Sequence, residues 1–175
     1  ILALFGEMSY EAQDYALSPS QKRKIIVSTN LAETSLTIEG IKIVIDTGIA
    51  KKNRFDPYRK VNVLLPEPIS KSSASQRAGR AGRLSAGFCL RMWSENEHAH
   101  RKEFEEAEVY RLDLSEIYLN LASTDCNPHE MNWYEPPVEL RLNEAKNFLI
   151  SIGALNAEGA LVPMGYQLAQ LPVHP

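Results

Sequence analysis

Lys24-Ile-Ile-Val-Ser-Thr29 is an apolar run that ends in hydroxyl side chains, and Asn30-Leu-Ala-Glu-Thr-Ser-Leu-Thr-Ile38 follows it directly. The apolar run predicts a buried strand, and the polar cluster predicts a loop that enters a short helix. Ligands of α/β folds bind beyond the carboxyl ends of strands, where backbone amides are available to anions. The cluster therefore suits a phosphate site or a helix cap, and the two interpretations are compatible.

Neighbouring segments continue the pattern on both sides. Lys42 to Asp46 contains Ile-Val-Ile, which is typical of a fully buried parallel strand. Ile1 to Phe5 is a further apolar run, and Ser9 is placed to cap a helix that reaches about Ala16. Because strands and helices alternate, the sequence predicts a three-layer α/β sandwich.

A basic run, Gln76-Arg-Ala-Gly-Arg-Ala-Gly-Arg83, follows further along the chain. In a helix capped by Ser72 or Ser73 and reaching about Gly82, the side chains of Gln76, Arg80 and Arg83 project from one face. Guanidinium groups beside an amide suit a triphosphate and its attacking water. Glycine within a helix costs about 1 kcal/mol relative to alanine, which indicates close approach of a ligand or another domain. The alternative is a solvated basic helix.

Together the two motifs resemble the fifth and sixth motifs of DEAH-box RNA helicases, which are DExH enzymes of superfamily 2. Ile45-Asp-Thr-Gly-Ile-Ala50, Arg54-Phe-Asp-Pro57 and Arg91-Met-Trp-Ser-Glu95 are most similar to the bacterial HrpB branch. The resemblance covers essentially the whole chain. It implies an α/β, RecA-like domain of the P-loop NTPase type, the helicase C-terminal domain, at residues 1–108. A mostly helical winged-helix domain, which begins the helicase-associated region, follows at 109–175.

The resemblance also implies roles in ATP hydrolysis. Arg80 and Arg83 correspond to arginine fingers, and Gln76 corresponds to the residue that orients the hydrolytic water or holds the γ-phosphate. Ser35 is expected to respond to the nucleotide, and Glu39 is expected to lie near its sugar. ATP is the implied nucleotide, and other NTPs are also compatible.

Single-stranded RNA is the implied partner. By the resemblance, Thr29, Asn30 and Thr37 hold backbone phosphates without reading bases. The polar segment from Lys51 to Leu65 predicts two antiparallel strands around a turn. Its basic residues are candidate RNA contacts; they are Lys51, Lys52, Arg54 and Arg59. The alternative for this segment is an ordinary solvated hairpin.

The remainder of the chain predicts helices around a small wing. Ser94 is placed to cap an acidic segment, Glu95 to Glu108, that reads as surface and linker. One helix begins at Asp113, and a longer one ends at Gly153. A small hairpin and a last helix follow. The long helix carries mixed charges, so the predicted role of this domain is packing onto the motor domain.

Composition limits how the chain can act. Its 175 residues carry a net charge of -3, so RNA contacts must be local rather than driven by a basic field. The sequence has no Gly-x-x-x-x-Gly-Lys-Ser/Thr loop and no Asp-Glu-x-His run. A first RecA-like domain outside this chain is therefore expected to hold the ATP phosphates and Mg²⁺, and no metal ligands are expected here. The chain is expected to be an inactive segment of a larger enzyme.

The predicted function is that of an ATP-dependent RNA helicase, which couples ATP hydrolysis to RNA translocation and unwinding. Two cysteines, no signal peptide and no apolar stretch of membrane-spanning length predict a cytoplasmic protein without a membrane partner. The competing interpretation is a non-catalytic winged-helix nucleic-acid-binding protein, or a scaffold with a degenerate helicase domain.

Overall fold

A computed structural model describes residues 1–34, 38–59, 61–171 and 175. The chain forms two compact units: residues 1–52 with 64–105, and residues 53–63 with 106–175. Ser35 and Thr37, two of the predicted site residues, lie outside the described part. The predicted domain boundary between residues 108 and 109 stays a prediction.

Strands and helices alternate along the first part of the chain. In order, they are β1 (Leu2–Leu4), α1 (Tyr10–Leu17), β2 (Ile26–Ser28), α2 (Leu31–Thr34), β3 (Ile43–Asp46), β4 (Ile49–Asp56), β5 (Val61–Pro68), α3 (Lys71–Ala78), β6 (Phe88–Arg91) and α4 (Glu95–His100). Ser9 and Ser94 cap α1 and α4 as the sequence predicts, since each hydroxyl oxygen accepts a hydrogen bond from a first-turn amide.

The strands pair two by two. β1 is parallel to β2, with Leu2 opposite Ile26, and β3 is parallel to β6, with Ile43 opposite Phe88. β4 pairs with β5, which confirms the predicted hairpin. β3 is parallel as expected, but Ile43 and Ile45 are each 64% exposed, so the prediction of a fully buried strand is wrong. Alternate side chains of a strand point to opposite faces, and in the described residues α3 packs on the face that carries Asp46.

Small and branched apolar side chains form the core of the first unit. Leu4, Ala16, Ile69, Ala74 and Ala81 are each no more than 2% exposed. Ala74 lies in α3 and Ala81 follows it, so the segment that carries the predicted arginine fingers is anchored by buried alanines. Ser73 and Arg77 of this segment are largely buried, whereas Gln76 and Arg83 are exposed.

The second unit is mainly helical. It contains a 3₁₀ helix (Glu108–Tyr110), α5 (Ser115–Ser123), α6 (Glu139–Ser151) and α7 (Pro163–Ala169). α5 packs against α6 and α7 around a buried cluster; the leucines of this cluster are Leu114, Leu119, Leu142, Leu149 and Leu155. Gly153, with a φ of +75°, ends α6 as predicted.

The predicted wing is smaller than a hairpin of two strands. Leu155 and Leu161 form one antiparallel bridge. The Asn156 side chain closes the turn, since its Oδ1 accepts a hydrogen bond of 2.8 Å from the Ala160 amide. This side-chain bond adds to the backbone bond of 2.9 Å from the Asn156 amide to the Ala160 carbonyl.

Across the described residues, no helix combines the length and the apolar character that crossing a bilayer requires.

Candidate functional site

α3 carries the first part of the basic run. Its cap is Ser70 rather than the predicted Ser72 or Ser73: the Ser70 hydroxyl oxygen accepts a hydrogen bond of 3.1 Å from the Ser73 amide, and Ser70 is 2% exposed. The helix ends at Ala78 instead of reaching Gly82. Beyond it the backbone makes tighter bonds, such as that from the Arg80 amide to the Arg77 carbonyl at 3.1 Å.

The early end of α3 separates the predicted arginine fingers. Gln76 lies in the last turn of the helix and is exposed. Arg80 lies in the following turn and is half-buried, and its Nη2 donates to the Glu33 carbonyl. Arg83 lies further out and is exposed. The three residues do not share one helical face. The helix ends at Ala78, and the glycine-spaced residues after it do not continue the period of 3.6 residues per turn.

The sequence reasoning missed the role of Arg77. Its Nε donates to Glu33 Oε2 at 2.9 Å, and its Nη1 donates to Asp46 Oδ1 at 3.0 Å. The Arg77 side chain is 14% exposed, that of Glu33 16% and that of Asp46 1%. The central arginine of the run therefore holds elements together. No local signal in the sequence marks this role, because both partners of Arg77 lie far from it along the chain.

Glu33 receives a further hydrogen bond. The Ser73 hydroxyl donates to Glu33 Oε1 at 2.7 Å. Both carboxylate oxygens and the carbonyl of Glu33 thus accept from α3 or from the turn after it. We call Glu33, Ser73, Arg77, Arg80 and Asp46 the Glu33 cluster. It joins α2, α3 and β3, and α3 packs against each of the other two elements.

The polar loop after β2 lies directly before α2. The Thr29 hydroxyl oxygen accepts a hydrogen bond of 3.4 Å from the Leu31 amide, and the Asn30 carbonyl accepts one of 2.9 Å from the Glu33 amide. Thr29 and Asn30 remain exposed. The loop therefore begins the helix and also leaves polar side chains accessible. Glu39 is exposed in the turn that contains Gly40, whose φ is +75°.

Three basic side chains of the hairpin make ion pairs; they are Lys52, Arg54 and Arg59. In the first unit Lys52 pairs with Glu105, and in the second Arg54 Nη1 lies 2.6 Å from Glu106 Oε2. Burial alone raises the pKa of Glu105, but hydrogen bonds from the Lys52 ammonium and the Ser70 amide outweigh it, and the pKa lies below its usual value. The acidic segment is therefore not merely a solvated linker.

Comparison with known proteins identifies the family. Residues 1–85 match the model of the helicase conserved C-terminal domain, and residues 147–173 match that of the winged-helix, helicase associated domain (HA2). The ATP-dependent RNA helicase HrpA of Borreliella burgdorferi is 42% identical over 178 residues, which cover 100% of this chain and 22% of that protein. The chain belongs to the DExH-box helicase family.

Further DExH-box relatives agree. HrpA of Escherichia coli is 37% identical over 181 residues, covering 100% of this chain and 14% of that protein. The crystal structure of Escherichia coli DEAH/RHA helicase HrpB matches 95% of this chain and 22% of its own at 36% identity, with a TM-score of 0.87. The crystal structure of the E. coli DExH-box NTPase HrpB matches 95% of this chain and 21% of its own, at 36% identity and with a TM-score of 0.82.

The family comparison confirms the predicted resemblance and fold class. This DExH-box segment spans 22% or less of the length of the relatives named here. The activity of a whole helicase is therefore a proposal for it, and so are the roles of its individual residues.

Proposed function

We propose that the chain is part of an enzyme, an ATP-dependent RNA helicase that couples ATP hydrolysis to RNA translocation and unwinding. One observation carries the proposal: the Arg80 guanidinium donates to the carbonyl of Glu33, in the helix that follows the Thr29–Asn30 loop. A cation suited to a transferring phosphoryl group thus lies beside a loop suited to a nucleic-acid backbone.

ATP is the proposed substrate of the basic run. Arg80 and Arg83 place positive charge against the departing γ-phosphate, and Gln76 orients the hydrolytic water. The exposure of Gln76 and Arg83 at the end of α3 fits an anionic ligand that arrives from outside this unit. Ser35 and Glu39 keep their proposed roles at the nucleotide and its sugar. Arg77 takes no part, because its donors are directed at Glu33 and Asp46.

Mg²⁺ and the remaining phosphate contacts are assigned to a first RecA-like domain. That domain is also the proposed partner of the segment that carries Gln76, Arg80 and Arg83. Among the described residues, no group of three His, Cys, Asp or Glu side chains could hold a metal ion.

RNA is proposed to bind through its backbone. Thr29 and Asn30 present exposed hydroxyl and amide groups, and Thr37 completes the proposed set. Arg54 is a further proposed contact on the hairpin. Because most of these groups are neutral, they hold phosphates by hydrogen bonds and read no base, which suits a motor that moves along any sequence.

The free thiols of Cys89 and Cys126 support the proposed cytoplasmic location.

Arg80→Ala in the full-length protein tests the proposal. RNA-stimulated ATP hydrolysis is expected to fall by about 10³-fold or more, the usual effect of removing an arginine finger. RNA affinity, titrated at fixed salt, is expected to stay nearly unchanged, since Arg80 is assigned to the nucleotide. Arg80→Lys retains a charge but loses the planar fork, and it is expected to restore little activity.

Arg23→Ala is the matched control, because Arg23 is an exposed arginine of the same unit outside the proposed site. Its turnover is expected to equal that of the unaltered protein. Turnover of Arg80→Ala within a few-fold of that value contradicts the finger role. A full-length protein without any ATP turnover supports instead the non-catalytic scaffold.

A further inference from the structure

Glu33 receives hydrogen bonds from one continuous stretch of chain. Ser73 and Arg77, four residues apart on one face of α3, donate to its two carboxylate oxygens at 2.7 and 2.9 Å. Arg80, in the next turn, donates to its carbonyl. A single residue of α2 is thus held at three points by the segment that carries the proposed finger.

Burial argues against a ligand-binding role for this carboxylate. The Glu33 side chain is 16% exposed and its partner Arg77 14%, while Asp46 beyond Arg77 is 1% exposed. Asp46 Oδ1 also accepts a hydrogen bond of 2.9 Å from the Gly48 amide. Arg77 is therefore fixed between two carboxylates, and Glu33 in turn is fixed to Arg77. Ion pairs at this depth hold their geometry far better than exposed ones.

Glu33 is equally tied to the polar loop. Its amide donates to the Asn30 carbonyl at 2.9 Å, and the Ala32 amide donates to the Thr29 carbonyl at 3.4 Å. These bonds form the first turn of α2, so a displacement of the Thr29–Asn30 backbone is passed to Glu33 over a single turn. The loop proposed to bind RNA and the segment proposed to meet ATP therefore share one rigid connection.

We propose that Glu33 is a positioning residue, through which RNA bound at the Thr29–Asn30 loop sets the positions of Gln76 and Arg80. The proposal rests on the proposed function and adds the element that links its two ligands. RNA that favours one position of the loop favours one position of α3 and of Arg80. Glu33 itself touches neither ATP nor RNA.

Glu33→Gln in the full-length protein tests this assignment. The amide keeps the shape of the side chain but removes the charge that holds Arg77. ATP turnover is measured with and without single-stranded oligouridylate. The ratio of stimulated to basal turnover is expected to fall about ten-fold, within the usual range of coupling free energies. Basal turnover, the KM for ATP and RNA affinity at fixed salt are expected to change little.

Two further variants sharpen the test. Ser73→Ala removes one donor to Glu33 and leaves the ion pair with Arg77, so it is expected to lower the stimulation ratio by a smaller factor. If Glu33→Gln does not fold, as monitored by thermal unfolding, Ser73→Ala decides the question. Glu11→Gln is the matched control, since Glu11 is an exposed residue of α1, and its ratio is expected to stay unchanged.

The outcomes separate the two proposals. If RNA stimulates the unaltered protein and both Glu33→Gln and Ser73→Ala retain the full ratio, the role of Glu33 is overturned and the helicase proposal stands. If basal and stimulated turnover fall by the same factor, Glu33 only supports the fold, and its role is again overturned. If RNA does not stimulate the unaltered protein, the proposed function itself fails.

Discussion

Gly48 lies in a left-handed turn between β3 and β4, with a φ of +73°. An added Cβ would come within 2.6 Å of Trp93 Cε3 and 2.7 Å of Arg101 Nη2. These groups cannot withdraw easily, because the Arg101 guanidinium stacks on Trp93 at 4.3 Å and its Nη1 donates to the Gly48 carbonyl at 2.8 Å. The residue after Asp46 and Thr47 therefore has to be glycine.

Gly48→Ala is expected to destabilise the chain by about 2–4 kcal/mol, since left-handed strain and overpacking add together. Urea denaturation followed by circular dichroism measures the change. Gly6→Ala is the control, because no atom lies within 4 Å of its added Cβ and its φ is not in the left-handed region. If Gly48→Ala changed the free energy of unfolding as little as Gly6→Ala does, the turn would have to relax around the added methyl group.

The burial of Arg77 within the basic run depends on tertiary contacts. The pattern of the basic run correctly singled out an unusual segment, but it could not tell which arginine is buried. Arg77 pairs with Glu33 and Asp46, which lie far from it in the sequence, so its role depends on how α2 and β3 are arranged around α3. Spacing within a helix predicts a shared face, and it does not say what that face meets.

At the scale of elements, the acidic segment after α4 fixes the base of the hairpin. Glu105 accepts from the Lys52 ammonium and from the Ser70 amide, which lies at the cap of α3. One side chain thus joins β4 to the start of α3. The backbone adds two bonds, from Lys71 to the Lys102 carbonyl and from Ser72 to the Glu103 carbonyl, at 2.9 and 3.0 Å.

Glu105→Gln is expected to lower the free energy of unfolding at neutral pH by less than about 1 kcal/mol, because the side chain is 43% exposed and its ion pair is screened. The folded-state pKa of Glu105 is lowered, so its stabilisation is complete above the ordinary glutamate pKa of about 4.3 and is lost as pH falls through the lower folded-state value. The difference in the free energy of unfolding between the unaltered chain and Glu105→Gln is therefore expected to disappear at acid pH. Urea denaturation at several pH values measures this difference.

Glu103→Gln is the matched control for this pH series. Glu103 pairs with Lys71 at 3.3 Å and its side chain is 65% exposed, so its replacement is expected to have a smaller effect. If the difference in the free energy of unfolding between the unaltered chain and Glu105→Gln increased toward acid pH, it would contradict the direction of the pKa shift.

Elements were predicted best where the signal is local. The caps at Ser9 and Ser94 and the glycine stop of α6 follow from nearby residues. The cap of α3 was misplaced because several serines in a row offer the same hydroxyl, and only tertiary contacts select Ser70. Exposure of Ile43 and Ile45 was missed for a similar reason, since a period of two does not reveal which face is covered.

On the scale of the whole molecule, the chain alone is expected to hydrolyse no ATP above the buffer blank. It contains neither a Gly-x-x-x-x-Gly-Lys-Ser/Thr loop nor an Asp-Glu-x-His run, which supply the phosphate and metal contacts of such enzymes. Phosphate release with and without single-stranded RNA measures this, with the full-length protein as the positive control. Turnover by residues 1–175 that Arg80→Ala abolishes would overturn the expectation.

The two compact units are interleaved along the chain. Residues 53–63 interrupt the first unit and belong to the second, where the Phe55 amide donates to the Arg111 carbonyl at 2.8 Å. No single cut in the polypeptide therefore separates them. Recombination at Glu106 alone would leave residues 53–63 behind, so we expect the second unit to be exchanged between proteins only together with that segment of the hairpin.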